Sequence, residues 1–244
     1  MALKTKEKEI VVPGEILATG MDFLPSYGTY REGENIRAGK LGILNVDGKV
    51  LKITSISGRY MPKRGDTIIG KITDVTMNGW RIEINSPYSA MLPLKDATRD
   101  FIEKGSNLTR IYNFDEYVVC GITNVTSQKL VDLTMKGPGF RKLRGGQIIE
   151  VNTHKVPRII GKNGSMVSML KQATGCIIVV GQNGWVWLNS EDPVMEILAI
   201  ETIKKIEAEA HQSGLTDKIK IFLEKKTGKK IELKTEPPIS EVPQ

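Results

Sequence analysis

Cysteine and histidine are scarce in this chain, at two residues each in 244. Cys120 and Cys176 lie far apart in apolar runs and form no Cys-x-x-Cys pair. That excludes a zinc ribbon on ligand count and offers no secreted disulfide framework, so both are expected to be buried thiols. His154 and His211 have no metal-ligand spacing, and no nucleophile motif or paired acidic cluster of the nuclease type accompanies them. Asp115-Glu116 is a single acidic pair, read as loop charge. No catalytic residue, metal or cofactor is therefore expected, and the chain is read as not an enzyme. No apolar stretch reaches the length of a membrane span or of a signal peptide, which points to a soluble, cytoplasmic protein with no membrane partner. Aromatic residues make up only 6%, and Trp80, Tyr88 and Tyr112 are the candidates for stacking a base if any does.

Basic charge is what the chain has in excess. Lys and Arg outnumber Asp and Glu by 35 to 28, a formal +7. From Arg141 to Lys171 there are seven basic residues, Arg141, Lys142, Arg144, Lys155, Arg158, Lys162 and Lys171, against Glu150 alone. This stretch holds nearly the whole surplus. A basic concentration of that kind suits a polyanion, since phosphate neutralisation dominates nucleic-acid affinity.

In the middle of that stretch stands Gly161-Lys162-Asn163-Gly164. Two glycines leave the ends of a turn without side chains, so that a sugar-phosphate backbone can come close to the main chain. Met166, Met169, Leu170 and Ala173 then follow at helical spacing, and Gly175 suits the position after the helix end. The turn thus opens a helix N-terminus, where amides and dipole favour phosphate. It resembles the KH module, whose GXXG loop clamps RNA backbone. Lys155, Arg158, Gly161, Lys162, Asn163 and Gly164 are the candidate RNA-binding residues here.

Three segments and a tail are expected. Residues 1–59 form a β-rich unit with a hairpin at Asp47-Gly48 between strands at 41–46 and 49–54. Residues 63–136 read as five short strands with a longer connection near 94–105, an S1-like OB-fold β-barrel. Its strands include 68–75, a run from Trp80 through Ile82 and Ile84, 117–125 and 130–135. Residues 146–212 read as βααββα, a type I KH domain, with Asp192-Pro193 starting the last helix. Ile197, Ile200, Ile203 and Ile206 are expected to share one broad side of that helix, with Glu201, Lys205 and Glu209 opposite. Residues 213–244 are read as a further helix, with Ile219, Phe222 and Leu223 on one side, and a mobile tail. The fold class is multidomain, β followed by α+β.

That order of domains, together with Val11-Val12-Pro13-Gly14, Gly65-Asp66 with Gly70, and the asparagine in the GXXG loop, resembles the archaeal S1/KH family of exosome RNA-binding cap subunits. The resemblance covers almost the whole chain. It implies a non-catalytic subunit that binds single-stranded RNA, A-rich tails included, with three copies seated on a hexameric ring of RNase PH-like subunits that degrades RNA 3′ to 5′. The N-terminal unit would dock on the ring. At the positions where a typical S1 domain stacks bases, this chain has Asn78, Arg81 and Pro93, so Arg81, Lys95 and Arg110 are expected to act on the RNA backbone by charge. The alternative is an S1/KH transcription elongation factor that binds RNA polymerase and nascent RNA. That family carries two adjacent KH domains, whereas one GXXG loop is read here.

Overall fold

The computed structural model describes residues 2–100, 102–103, 105–212 and 214–228. The expected tail from 229 onward lies outside the described residues. Two units are present, Met1–Gly58 and Arg59–Gln244.

The first unit is all β. Strands β1 (Ala2–Leu3), β3 (Ile16–Thr19), β6 (Asn35–Ala38) and β5 (Thr29–Glu32) make one sheet in the order β1-β3-β6-β5. The second sheet, in the order β2-β7-β8-β4, combines β2 (Ile10–Val11), β7 (Gly42–Asp47), β8 (Val50–Ser55) and β4 (Leu24–Pro25). The expected hairpin is β7–β8, with Asp47 opposite Val50. Alternating residues of these strands, among them Leu17, Ile36, Leu44, Leu51 and Ile53, build one core.

The second unit begins with a barrel. Strands β9 (Thr67–Thr76), β10 (Gly79–Glu83), β11 (Ala90–Pro93), β13 (Val131–Thr134) and β12 (Tyr117–Val125) pair in sequence, and β12 returns to β9, closing five strands. A short helix α1 (Leu94–Ala97) follows β11. A sixth strand, β14 (Arg141–Leu143), pairs with β12 outside this closure. The OB-type reading holds; β14 was not foreseen, because three residues with two cations carry no strand pattern. Trp80 is wholly buried, donates its indole N–H to the Tyr112 carbonyl at 2.9 Å and meets the Tyr112 ring edge-on. Tyr112 in turn donates its hydroxyl to the Ala97 carbonyl at 3.1 Å. Two of the three candidate stacking aromatics are therefore core residues, which corrects the stacking alternative for them; the third, Tyr88, is half-buried. Burial pushes the enclosed Cys120 thiol up to about 12, as expected for an inert core cysteine.

The KH fold follows, with β15 (Gln147–Glu150), α2 (Val156–Ile160), α3 (Ser165–Thr174), β16 (Ile177–Val180), β17 (Trp185–Asn189) and α4 (Pro193–Ala208). Its antiparallel sheet has the order β15-β17-β16. Asp192 caps α4, accepting the Val194 amide at 2.9 Å ahead of Pro193. The expected face of α4 needs one correction: Ile197 is 65% exposed, while Leu198, Ala199, Thr202, Ile203 and Ile206 are buried. Steps of three residues lag the helix by about 60° each, so Ile197 has rotated to the side opposite Ile206. The last helix, α5 (Leu215–Thr227), sends Leu215, Ile219 and Leu223 into the same core as α3 and α4. The Lys205 ammonium sits over the Phe222 ring at 4.1 Å, tying α5 to α4.

Both faces of the KH sheet are covered. Ile178, Val186 and Leu188 face the helices, while Trp187, with Ile148, Val179 and Trp185 around it, packs on Ile69, Val119 and Leu143 of the barrel. The period of two along each strand separates the two sets.

Candidate nucleic-acid interface

Gly161 ends α2, its amide donating to the Pro157 carbonyl at 3.0 Å. Its φ of 76° suits glycine, and a Cβ built there would lie 2.7 Å from the Met166 amide nitrogen and 2.8 Å from the Met166 Cβ. Any side chain at 161 would push into the first turn of α3. Asn163 (φ 53°, ψ 35°) and Gly164 (φ 75°, ψ 6°) are left-handed, and asparagine is among the few residues that tolerate this region. The result is a tight turn, Lys162–Gly164, that carries the exposed Lys162 and Asn163 side chains outward. Gly164 occupies the N-cap of α3 and supplies no capping side chain. The amides of the first turn of α3 thus have no capping acceptor from this residue, and an anion can take that place.

Two further predicted residues stand on the approach to this turn. Arg158 is exposed on α2, and Lys155 is half-buried at the start of that helix. Neither they nor Lys162 forms an ion pair with a described residue, so the helix leading into the turn and the turn itself carry three cations without an acidic partner among those residues. The barrel cations are less concentrated. Arg81 is exposed on β10, Lys95 on α1 and Arg110 on a 3-10 turn at Leu108–Arg110. No hydrogen bond or ion pair joins these three among the described residues, and Lys95 reaches Asp96 only at 4.0 Å. Of the basic stretch, Lys142 is engaged in an ion pair with Glu116 on the barrel wall.

The Gly-x-Asn-Gly pattern occurs twice. Gly181-Gln182-Asn183-Gly184 repeats it, so the reading of one GXXG segment needs correction. This second copy joins β16 to β17, with Gly181, Asn183 and Gly184 buried and Gln182 exposed. Asn183 has no exposed surface and donates its side-chain amide to the carbonyls of Ile69 at 2.7 Å and Ile84 at 3.0 Å. The Ile69 amide donates back to Asn183 Oδ1 at 3.3 Å, and the Gln182 amide donates to the Thr67 carbonyl at 2.9 Å. The segment is a clasp on the barrel.

Comparison with known proteins agrees with this architecture. The model described as "RRP4, S1 domain" matches residues 59–124, that described as "KH domain" residues 146–194, and the "Exosome complex exonuclease RRP4 N-terminal region" residues 10–47. The exosome complex component Rrp4 of Pyrococcus furiosus is 40% identical over 241 residues, covering 98% of this chain and 90% of that protein. The chain belongs to the Rrp4 family. Its relative in Thermococcus kodakarensis is 40% identical across 98% of this chain and 93% of its own length. A crystallised chain assigned as an exosome complex RNA-binding protein superposes with a TM-score of 0.62 at 34% identity, covering 69% of this chain and 97% of the other. Among the described residues of this Rrp4-family protein, no helix is long and apolar enough to cross a membrane.

Proposed function

We propose that this chain is the RNA-binding cap of an exosome, itself non-catalytic. It captures single-stranded RNA, A-rich tails included, and passes it to the pore of a hexameric, RNase PH-like ring that degrades 3′ to 5′. Three copies sit on that ring, and the assembly works in the cytoplasm. The relatives' description as exosome complex components supports the assembly. The absence of any nuclease motif from the sequence supports the non-catalytic role. Residues 1–59 are the docking unit in this reading. In support, Ile10, Val12, Met21, Leu24 and Tyr27 of that unit are all more than half exposed, and these are side chains that contact with a protein partner would bury. Arg81, Lys95 and Arg110 add long-range attraction for the RNA backbone from the barrel.

One observation carries the RNA-binding role: the Gly161–Gly164 turn, open at the head of α3, with Lys155, Arg158 and Lys162 around it. Changing its glycines is a poor test, because a side chain at 161 collides with the backbone of Met166. Lys162→Asp with Asn163→Asp leaves the backbone undisturbed, since aspartate also tolerates the left-handed region. Fluorescence anisotropy with a labelled oligoadenylate should show affinity falling by at least about tenfold, with a shallower salt dependence. The urea midpoint should stay where it was. Equal affinity of the two proteins at low salt would remove the turn from the binding site.

A further inference from the structure

Where the linker strand β14 runs into the KH sheet, a crevice of about 640 Å³ opens between barrel and KH domain. Its walls include Glu116, Tyr117, Lys142 and Arg144 from the barrel side and Ile148 and Trp187 from the sheet. It lies on the sheet face turned away from the helices, since Ile148 and Trp187 pack toward the barrel while the Gly161–Gly164 turn belongs to the helical layer. The charges in it are unequally used. Asp115 is held by Lys71 at 2.8 Å and Glu116 by Lys142. Arg144 is exposed at the rim and forms no ion pair with a described residue, although its charge helps to lower the Glu116 carboxyl; with Asp115 held by Lys71 from outside the crevice and Glu116 by Lys142, the Arg144 guanidinium is left with its donors directed to solvent. Gly145 and Gly146, both with left-handed φ, put no side chain at the rim beside it. The Trp187 indole N–H donates to the Gly145 carbonyl at 2.8 Å and so reports on the occupancy of the crevice.

We propose that this crevice is a second contact for the sugar-phosphate backbone of single-stranded RNA, separate from the Gly161–Gly164 turn, with Arg144 as the phosphate-binding side chain. The inference rests on the RNA-binding reading above, and it deepens that reading by giving the strand a foothold between the two domains. A guanidinium is suited to the task because its donors are fixed in a planar fork that matches two phosphate oxygens.

The full-length chain labelled with 15N contains three tryptophans, hence three indole N–H resonances. Trp187→Phe assigns the relevant one by its disappearance. Titration with hexauridylate should move the Trp187 resonance together with the Gly164 amide, and should leave Trp80, enclosed in the barrel, unmoved. Arg144→Ala should abolish the Trp187 shift, weaken binding by about tenfold and lower the salt slope by about 0.7, the value for one lost phosphate contact on a single strand. Lys162→Asp with Asn163→Asp should keep the Trp187 shift at higher RNA concentration. A moving Gly164 amide with a stationary Trp187 overturns the crevice alone. If both stay still, the RNA-binding reading falls with it. If Arg144→Ala leaves RNA affinity intact but impairs assembly with RNase PH-like subunits, the crevice is a protein contact and the proposal is wrong.

Discussion

Gly161–Gly164 and Gly181–Gly184 share three of four residues in register and have opposite fates. In the first, the asparagine is exposed in a left-handed turn at the start of a helix. In the second, it is wholly buried and satisfies three backbone groups of another fold, the Ile69 carbonyl and amide and the Ile84 carbonyl. What differs is the setting. A helix begins after Gly164, so the turn presents its amides outward. After Gly184 a strand begins, pairing with both β15 and β16, and the turn projects from a sheet whose back is pressed on the barrel. The shared tetrapeptide does not fix a backbone shape, since Gly161 and Asn163 have left-handed φ while Gly181 and Asn183 do not; the flanking elements decide both the turn and whether water, a polyanion or protein fills it.

The sharpest test of this contrast is the same substitution at both asparagines. Asn183→Asp removes the donor to two buried carbonyls and places a carboxylate without a cation in the interior. It should cost about 3 kcal/mol or more in urea unfolding. Asn163→Asp should stay within about 0.5 kcal/mol of wild type. Equal costs would dissolve the distinction. Next in size is Gly184→Ala: φ is +84°, and the new Cβ would lie 2.5 Å from the Val151 carbonyl oxygen. A loss of about 2 kcal/mol is expected, measured as a shift of the urea midpoint with unchanged slope.

The smallest effect concerns the ion pair of Lys142 and Glu116, which tests whether surface charge near the crevice rivals the buried amide. Partial burial disfavours the Glu116 carboxylate, but the hydrogen bond with Lys142 and that from the Asn113 amide outweigh it, and the net shift is downward. A lowered folded-state value means that the carboxylate adds stability above the ordinary carboxylate range and loses it as pH falls through the folded value. Lys142→Met should therefore cost less than about 1 kcal/mol at neutral pH. In thermal melts the gap to wild type should close in acid. A gap that stays constant with pH would assign the effect to packing of the lysine stem.

Much of this was legible along the chain because it is local. The Met166 to Ala173 stripe, the Asp192-Pro193 helix start and the Asp47-Gly48 hairpin are each decided within a few residues, and each formed as expected. So was the Gly161–Gly164 turn, whose chemistry belongs to its own backbone. Features that depend on a distant partner were not legible. Nothing near Asn183 announces that Ile69 and Ile84 will meet it, and nothing in Arg141-Lys142-Leu143 announces that β12 has a free edge. The same holds for Trp80 and Tyr112, which meet edge to face in the barrel core because five strands close around them. Ile197 was misplaced for another reason, a three-residue step taken as a helical face.

Helix α5 has a practical consequence for anyone cutting this protein into pieces. Leu215, Ile219 and Leu223 complete an interior that the family match, ending at residue 194, does not reach. A fragment stopped at Gln212 would leave the side of α3 facing α5 uncovered and greasy, inviting self-association that an unwary observer would score as natural oligomerisation. Fragments meant to probe the RNA-gripping module should run at least to Gly228, where the helix is capped.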